Sequence, residues 1–496
     1  MGAHRGKCGN VDMMDETEST NNEELSLDFH VLKSNLLRNR TETHALELFQ
    51  QLLSISMNNL DDLSIETFHD LKDLIHCIFD SISVPNLFQQ PQSLLLNAIT
   101  RSPSSVVTII VDYLLNHLSD VKAFLSVSNT EVTLALANRI IESACAESVA
   151  NLLWQFLNVN VVKEKLESLL ANNRAEERFR IFQVISIFLK EGGEPQQVSS
   201  FINALEKELL STDILSQLNA VEMFADVASQ QAAVASYLIS TGFVDRLYKY
   251  FVEITDHPDM GFIFPALVKF FGHLSVVNVD CLLKYPKFLD SVFDLVFHFD
   301  MLDPCQRLLA FDTIAVIGSN DTGKLFLHKI SDHYDLIKTM NAFGAAIGSG
   351  PLELRVRHMD ALAMLVHVEN PVDDNISMIV ESWVRNIGEP FPTLLMAYYT
   401  KPFNDIRLSS ERLILELLNY SWMIEKLMTV PNFLDKILDR SVQTTAEGMQ
   451  MKHEIVCKLI DSNSTAIPAP YMSKLQLYQR EGPYCQSIQN IEMSNP

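Results

Sequence analysis

Eight ten-residue strings, alike in kind and set at similar intervals, constrain this chain more than any other feature. They are SLLLNAITRS (93–102), LALANRIIES (134–143), ERFRIFQVIS (177–186), AVEMFADVAS (220–229), ALVKFFGHLS (266–275), AFDTIAVIGS (310–319), HMDALAMLVH (358–367) and RLILELLNYS (412–421). Each is rich in Ala, Phe, Leu and Ile, most end in Ser, and their starts lie 41, 43, 43, 46, 44, 48 and 54 residues apart. A unit of that size cannot bury its own apolar face, so neighbouring units must stack into one continuous core.

The segments between the strings have helical spacing. In Phe243–Ile254 the apolar residues Phe243, Val244, Leu247, Tyr248, Phe251 and Val252 fall at i, i+1, i+4, i+5, i+8 and i+9, one face of a helix and not the alternation of a strand. Several strings are followed by a second helix of the type Phe-Val-Asp-x-Leu, as in TGFVDRLYKYF, YPKFLDSVFDLV and PNFLDKILDRS. A period just above 40 with two or three helices per unit is that of armadillo/HEAT arrays. Glycine and proline agree: 16 and 18 in 496 residues make 6.9%, against about 12% on average. The expected fold is therefore all-α, an armadillo/HEAT-like α-solenoid in a curved superhelical stack. Residues 1–26, polar and acidic, are expected to be a disordered tail. One continuous solenoid is expected over 27–486, with an irregular cap at 27–90, repeats at 91–440 and a C-terminal cap at 441–486; 487–496 would be a loose tail.

Charge and cysteine usage narrow the function. With 38 basic and 62 acidic residues the net charge is −24, which repels nucleic-acid phosphates and anionic membrane surfaces and suits a partner with a basic face. The seven cysteines include no CxxC and sit mostly among apolar helical residues, as reduced core thiols do. Residues 1–25 lack the apolar segment of a signal peptide. No apolar run reaches the roughly 18 residues of a membrane span. A cytoplasmic protein, possible also in the nucleus, is the expectation.

Catalytic signatures are sparse. Gly318-Ser319-Asn320-Asp321-Thr322-Gly323-Lys324 has the GxxxxGK spacing of a phosphate loop, but Leu325 replaces the Ser or Thr that coordinates Mg²⁺, and the preceding run is a repeat helix. There is no HExxH, no Cys/His cluster at zinc spacing and no GxSxG elbow. No catalytic, cofactor-binding or metal residue is therefore assigned, and the expected protein is not an enzyme. What remains is surface. If the last helix of each unit lines the concave side, three ridges face a partner: Asp245 and Lys249 (with Glu253), then Asp290, Asp294 and Phe297, then Met378, Glu381 and Arg385. A solvated face with local i,i+4 pairs is the plain alternative. Phe297 and Met378, apolar outside the core stripe, favour contact.

From about residue 160 the chain resembles a known family, the 26S proteasome non-ATPase regulatory subunit 5 chaperones. The resemblance rests on ALVKFFGHLSV (266–276), YPKF (285–288), DTIAVIGSNDTGK (312–324), LELRVRHMDALAML (352–365), ESWVRNI (381–387) and EGPY (481–484). It implies a non-catalytic armadillo/HEAT stack that binds the C-terminal domain of one proteasomal ATPase, regulatory subunit 7. The same resemblance implies assembly intermediates that also hold regulatory subunit 4 and non-ATPase subunit 1, release before the mature 26S particle forms, and a monomer when free. Another armadillo/HEAT adaptor, in nuclear import or vesicle tethering, is the alternative. Trp154, Trp383 and Trp422 do not repeat in register as an import receptor's concave ladder would.

Overall fold

The computed structural model describes residues 29–54, 65–88, 94–125, 130–172, 174–256, 261–369, 372–388 and 390–485. The segments expected as tails, 1–26 and 487–496, lie outside the described residues. Helix is the only regular secondary structure among the described residues, and none of these helices is long and apolar enough to cross a membrane. The chain divides into two compact units, 1–208 and 209–496, a division the repeat strings do not announce.

The first unit contains α1 (29–38), α2 (Glu42–Ser54), α3 (Ile65–Asp80), α4 (Val84–Phe88), α5 (Leu94–Arg101), α6 (Ser104–Asn116), α7 (Leu118–Ala123), α8 (Thr130–Arg139), α9 (Ala146–Leu153), α10 (Asn160–Asn172), α11 (Ala175–Lys190) and α12 (Ser199–Glu208). Two rows form: α3, α6, α9 and α11 pack in succession, as do α5, α8 and α10. The repeat strings in α5 and α8 share a row, whereas the string in α11 falls in the other. Ion pairs tie units some forty residues apart, Lys33 with Asp73 at 2.6 Å and Lys72 with Asp112 at 3.4 Å.

The second unit contains α13 (Ile214–Gln230), α14 (Ala232–Ser240), α15 (Phe243–Asp256), α16 (Phe264–Val277), α17 (Pro286–Phe297), α18 (Pro304–Ile317), α19 (Asp321–Lys329), α20 (Leu336–Ser349), α21 (Leu352–Val366), α22 (Asp374–Asn386), α23 (Phe391–Tyr399), α24 (Asn404–Leu417), α25 (Ser421–Met428), α26 (Phe433–Leu438), α27 (Ala446–Asp461) and α28 (Ala469–Glu481). Helix starts are set by side chains that accept from the first free N–H groups: Asp213, Asp303, Asn320, Asp335, Asp373 and Thr445. Here every repeat string falls in one row, α13–α16–α18–α21–α24, which α27 continues. These helices pack on each other along their lengths. The other row, with α15, α17, α20 and α22, is spaced more openly. Between the rows Phe251, Phe270, Phe271 and Phe288 are wholly buried, with ring centroids 5.4–6.3 Å apart between packed pairs.

Helix C-termini in both units are closed from the next repeat. The last carbonyls of a helix have no partner within it. Arg139 Nη2 donates to Ser102 O at the end of α5 (2.6 Å), and Arg180 donates to Ile141 O just beyond α8. Asn320 Nδ2 donates to Val276 O in α16 at 3.2 Å, Tyr420 OH to Val366 O in α21 at 2.7 Å, and Lys458 Nζ to Leu415 O in α24 at 3.1 Å. Lys324 is fully buried, and its Nζ donates to Gly318 O (2.9 Å) and His367 O (2.6 Å), the ends of α18 and α21. Burial lowers its amine to about 8, while a cation suits two helix C-termini.

The C-terminal repeat carries a buried polar cluster. Glu411 of α24 is fully buried, accepts from Gln443 Nε2, and has Lys452 and Arg407 as cationic neighbours. Its Oε2 has no donor. Burial pushes its carboxyl up to about 7, and burial lowers the Lys452 amine to about 8.

Two outcomes are expected. Lys324→Met leaves the Gly318 and His367 carbonyls without their donor and costs about 2 kcal/mol, read from urea unfolding midpoints. An unfolded glutamate releases its proton near pH ~4.3, whereas folded Glu411 holds its own to about 7. Between those values the folded state binds the extra proton, so this group's contribution to stability falls as pH rises. Glu411→Gln removes that decline and leaves the protein more stable than the parent above pH ~7, by on the order of 1–3 kcal/mol. Urea melts in a pH series check it, and parallel pH profiles of the two proteins would refute it.

Candidate protein-binding surface

The aligned strings of the second unit show where charge is placed on their row. Four of the five, those between 220 and 367, align in two columns. The third or fourth residue is Glu222, Lys269, Asp312 or Asp360, and the seventh or eighth is Asp226, His273, Val316 or Met364. Helical spacing of four residues puts both columns on one face. From α16 on, Lys269, His273, Asp312, Val316, Asp360 and Met364 of these columns line a groove of about 580 Å³ across α16, α18 and α21, with Pro265, Leu308 and Ala361 as apolar wall.

The charges of the groove are held in place. Arg357 Nη2 donates to Asp312 Oδ2 at 3.2 Å, from one repeat to the one before. Asp360 Oδ1 accepts from Arg412 Nη1 and from Ser409 Oγ, each at 2.8 Å. Burial raises the half-buried Asp312 carboxyl above its usual range, and Arg357 partly offsets this. Burial, then Lys269, lowers the His273 imidazole, so it is neutral at pH 7. Lys269 is exposed. Two cations, Lys269 and Arg357, thus balance two carboxylates, Asp312 and Asp360, in a groove that a strongly acidic chain keeps near neutral. Exposed pairs of this kind are worth about 0–1 kcal/mol, so they add little to the stability of the fold.

The residues expected to face a partner lie elsewhere, on the openly spaced row. The string-bearing row is the more closely packed of the two, and none of the expected residues is on it. Asp245 accepts from Tyr285 OH at 2.9 Å, and Asp290 accepts from Tyr334 OH at 2.9 Å. Both are the Asp of the Phe-(Val/Leu)-Asp pattern, and Asp435 accepts from Tyr471 OH at 2.9 Å in the third copy. The pattern is a staple between successive repeats. It raises the tyrosine hydroxyls, burial first and the carboxylate second for Tyr285 and Tyr334. Asp294 lies 3.1 Å from His298 Nδ1, and Glu381 pairs with Arg385 at 2.8 Å, both one turn apart. Phe297 is half-buried with Lys338 Nζ 4.1 Å from its ring centroid. Lys249 and Met378 are exposed. The structure therefore does not bring these eight residues into one site.

The phosphate-loop-like string is a helix corner. Asn320 caps α19, and a Cβ on Gly323 would stand 1.9 Å from Ile317 O, so only glycine lets the corner close. Lys324 turns inward onto carbonyls, where a phosphate loop would present its lysine to a ligand. Among the described residues no group of three or more His, Cys, Asp or Glu is placed to hold a metal ion.

Comparison with known proteins accords with this architecture. A crystal structure of importin beta superposes with a TM-score of 0.55 at 10% identity, covering 94% of this chain and 58% of that one. A second, from another crystallisation condition, gives 0.51 at 12% identity, covering 93% and 69%. These are likenesses of fold. In sequence, the 26S proteasome non-ATPase regulatory subunit 5 of Homo sapiens is 26% identical over 360 residues, 71% of this chain and 70% of the relative. That of Drosophila melanogaster is 22% identical over 429 residues, 84% and 82%. The family model described as proteasome non-ATPase 26S subunit matches residues 12–491. With nearly its whole length matched, this helical-repeat chain belongs to the proteasome non-ATPase 26S subunit family.

Proposed function

We propose that this chain is a cytoplasmic chaperone of proteasome assembly with no catalytic activity of its own. It binds the C-terminal domain of a proteasomal ATPase, regulatory subunit 7, in base intermediates that also hold regulatory subunit 4 and non-ATPase subunit 1. It leaves before the mature 26S particle forms. Family membership supports a proteasome-related role. The observation that carries the binding role is the groove across α16, α18 and α21, where paired charges of three repeats alternate beside exposed Met364. Fixed charges next to apolar wall suit recognition of a folded domain surface. The acidic chain, at −24, favours a basic partner face.

Titration calorimetry with the purified C-terminal domain of regulatory subunit 7 tests this directly. One-to-one binding is expected, and Lys269→Glu combined with Met364→Asp weakens it at least about tenfold with the melting temperature unchanged. No binding by the parent would end the proposal, and unchanged affinity of the double variant would move the interface off this groove. Asp290→Lys behaves oppositely. It removes the acceptor of Tyr334 and lowers stability by about 1 kcal/mol while leaving affinity within about twofold.

A further inference from the structure

One edge of the second unit is more apolar than its position accounts for. The C-terminal ends of α16, α18, α21 and α24 lie side by side, because Asn320 reaches Val276 O, Lys324 bridges Gly318 O and His367 O, and Tyr420 reaches Val366 O. In α13 and α16, Asp226 and His273 interact, each in the C-terminal half of its helix. The row is therefore parallel, and its N-terminal ends share the opposite edge, about 20 Å away for helices of this length. At that edge each helix start carries a large apolar residue turned to solvent. They are Leu215, Phe262, Met301, Leu352 and Phe403, from 40% exposed at Leu352 to 81% at Met301. All lie within three residues of the first residue of their helix.

We propose that this rim is a docking surface for an amphipathic helix with basic flanks, contributed by another protein. The spacing selects a helix. Packed helices stand about 8–10 Å apart, and seven residues of α-helix advance about 10.5 Å on one face. In an extended segment, side chains on one face recur every ~6.6–7 Å, which misses the rungs. Five rungs span roughly 32–40 Å, the length of a helix of about 21–27 residues. The charges select the flanks. Among the described residues at these helix starts, Asp213, Asp300, Asp303, Glu353 and Asp405 are exposed. On the cationic side, Arg307 donates to the Leu302 and Asp300 carbonyls, and Arg355 to the Gly350 carbonyl and Tyr398 OH. Lys401 is the exposed cation there. A second copy of this rim would set carboxylates against carboxylates. The chain's own residues 1–28, with six carboxylates in 12–24, are repelled in the same way. A basic occupant gains from both features. None of the five rim residues lines the groove, which reaches the same helix starts at Pro265 and Cys305, so this inference rests on different residues from the proposed function.

The test uses the full chain and a fluorescein-labelled helical peptide of about 25 residues, Leu at heptad a and d positions and Lys elsewhere, with anisotropy as readout. The parent is expected to bind, and the same peptide with Glu for Lys to bind at least about tenfold more weakly. The rim variant Phe262→Glu, Met301→Glu, Phe403→Glu loses at least about tenfold, whereas Leu283→Glu, Ile337→Glu, Met378→Glu, equal in charge but off the rim, stays within about twofold. Equal loss in both triple variants would mean general attraction to an acidic surface and would overturn the proposal. Should the rim variant melt early, photo-crosslinking the peptide to the parent decides. Adducts at 209–216, 261–264, 299–304, 350–353 and 401–405 support the rim, and adducts elsewhere refute it. Sedimentation of the parent alone covers the remaining occupants. A dimer abolished by the rim variant assigns the rim to a second copy and overturns a foreign partner, as does peptide binding that tightens when residues 1–28 or 486–496 are removed.

Discussion

The structure depends on how a stack of short helices disposes of its C-terminal carbonyls. Each helix ends with carbonyls its own backbone cannot satisfy, and stacking shuts those ends away from water. The chain meets this by sending a side chain from the neighbouring repeat: Arg139, Arg180, Asn320, Tyr420 and Lys458, and, across two ends at once, Lys324. A cap supplied by the neighbour makes a helix end and a repeat interface one interaction. Stability then resides in nearest-neighbour terms, as expected of a quasi-one-dimensional array. It also fixes register, since a repeat displaced by one turn would carry its cap past the carbonyl it serves.

This use of cations shapes the surface. Lys324 and Lys452 lie almost wholly inside, and Arg139, Arg440 and Lys458 are largely turned onto backbone carbonyls. The positive charges counted in the sequence are therefore not all available to a ligand, and the exterior is more acidic than the net charge of −24 conveys. Glu208 and Glu411 are buried too, beside Arg178 and near Lys452 respectively, but most carboxylates stay outside. A basic partner meets the field of the carboxylates, while the cations that would oppose it are engaged within.

Much of the architecture was legible because a helix announces its apolar stripe and a repeat announces its period. All five strings from 220 to 421 form one row of the second unit. In the first unit the string in α11 falls opposite those in α5 and α8, for a string records that a helix has a buried face and not which row it joins. The same blindness hides the groove. The polar column at Lys269, Asp312 and Asp360 stands in the aligned strings, but nothing local says that this row is the more tightly packed. Asp245 and Asp290 carry the signal of a shared pattern, yet their partners Tyr285 and Tyr334 lie 40 and 44 residues on. Without the fold, a carboxylate on a helix face reads as solvent-facing. At Lys324 the sequence already speaks against a phosphate loop, since Leu325 stands where Ser or Thr is needed, and the inward turn of the amine onto carbonyls agrees.

The two rows divide the work of a binding scaffold between them. In the openly spaced row the aspartate of each Phe-(Val/Leu)-Asp copy takes a tyrosine of the next repeat, which fixes the pitch without using the string-bearing row. Close backbone approach fixes it further: a Cβ on Gly344 would stand 1.8 Å from Ile387 O, so α20 and the end of α22 pack at a distance only glycine permits. The string-bearing row is then relieved of holding the stack open and can spend its columns on charge and apolar surface. A groove whose spacing is set from behind is formed before any partner arrives. Under the proposed function, little ordering cost would fall on binding here, and the charges of Lys269, Asp312, Arg357 and Asp360 would be matched as they stand.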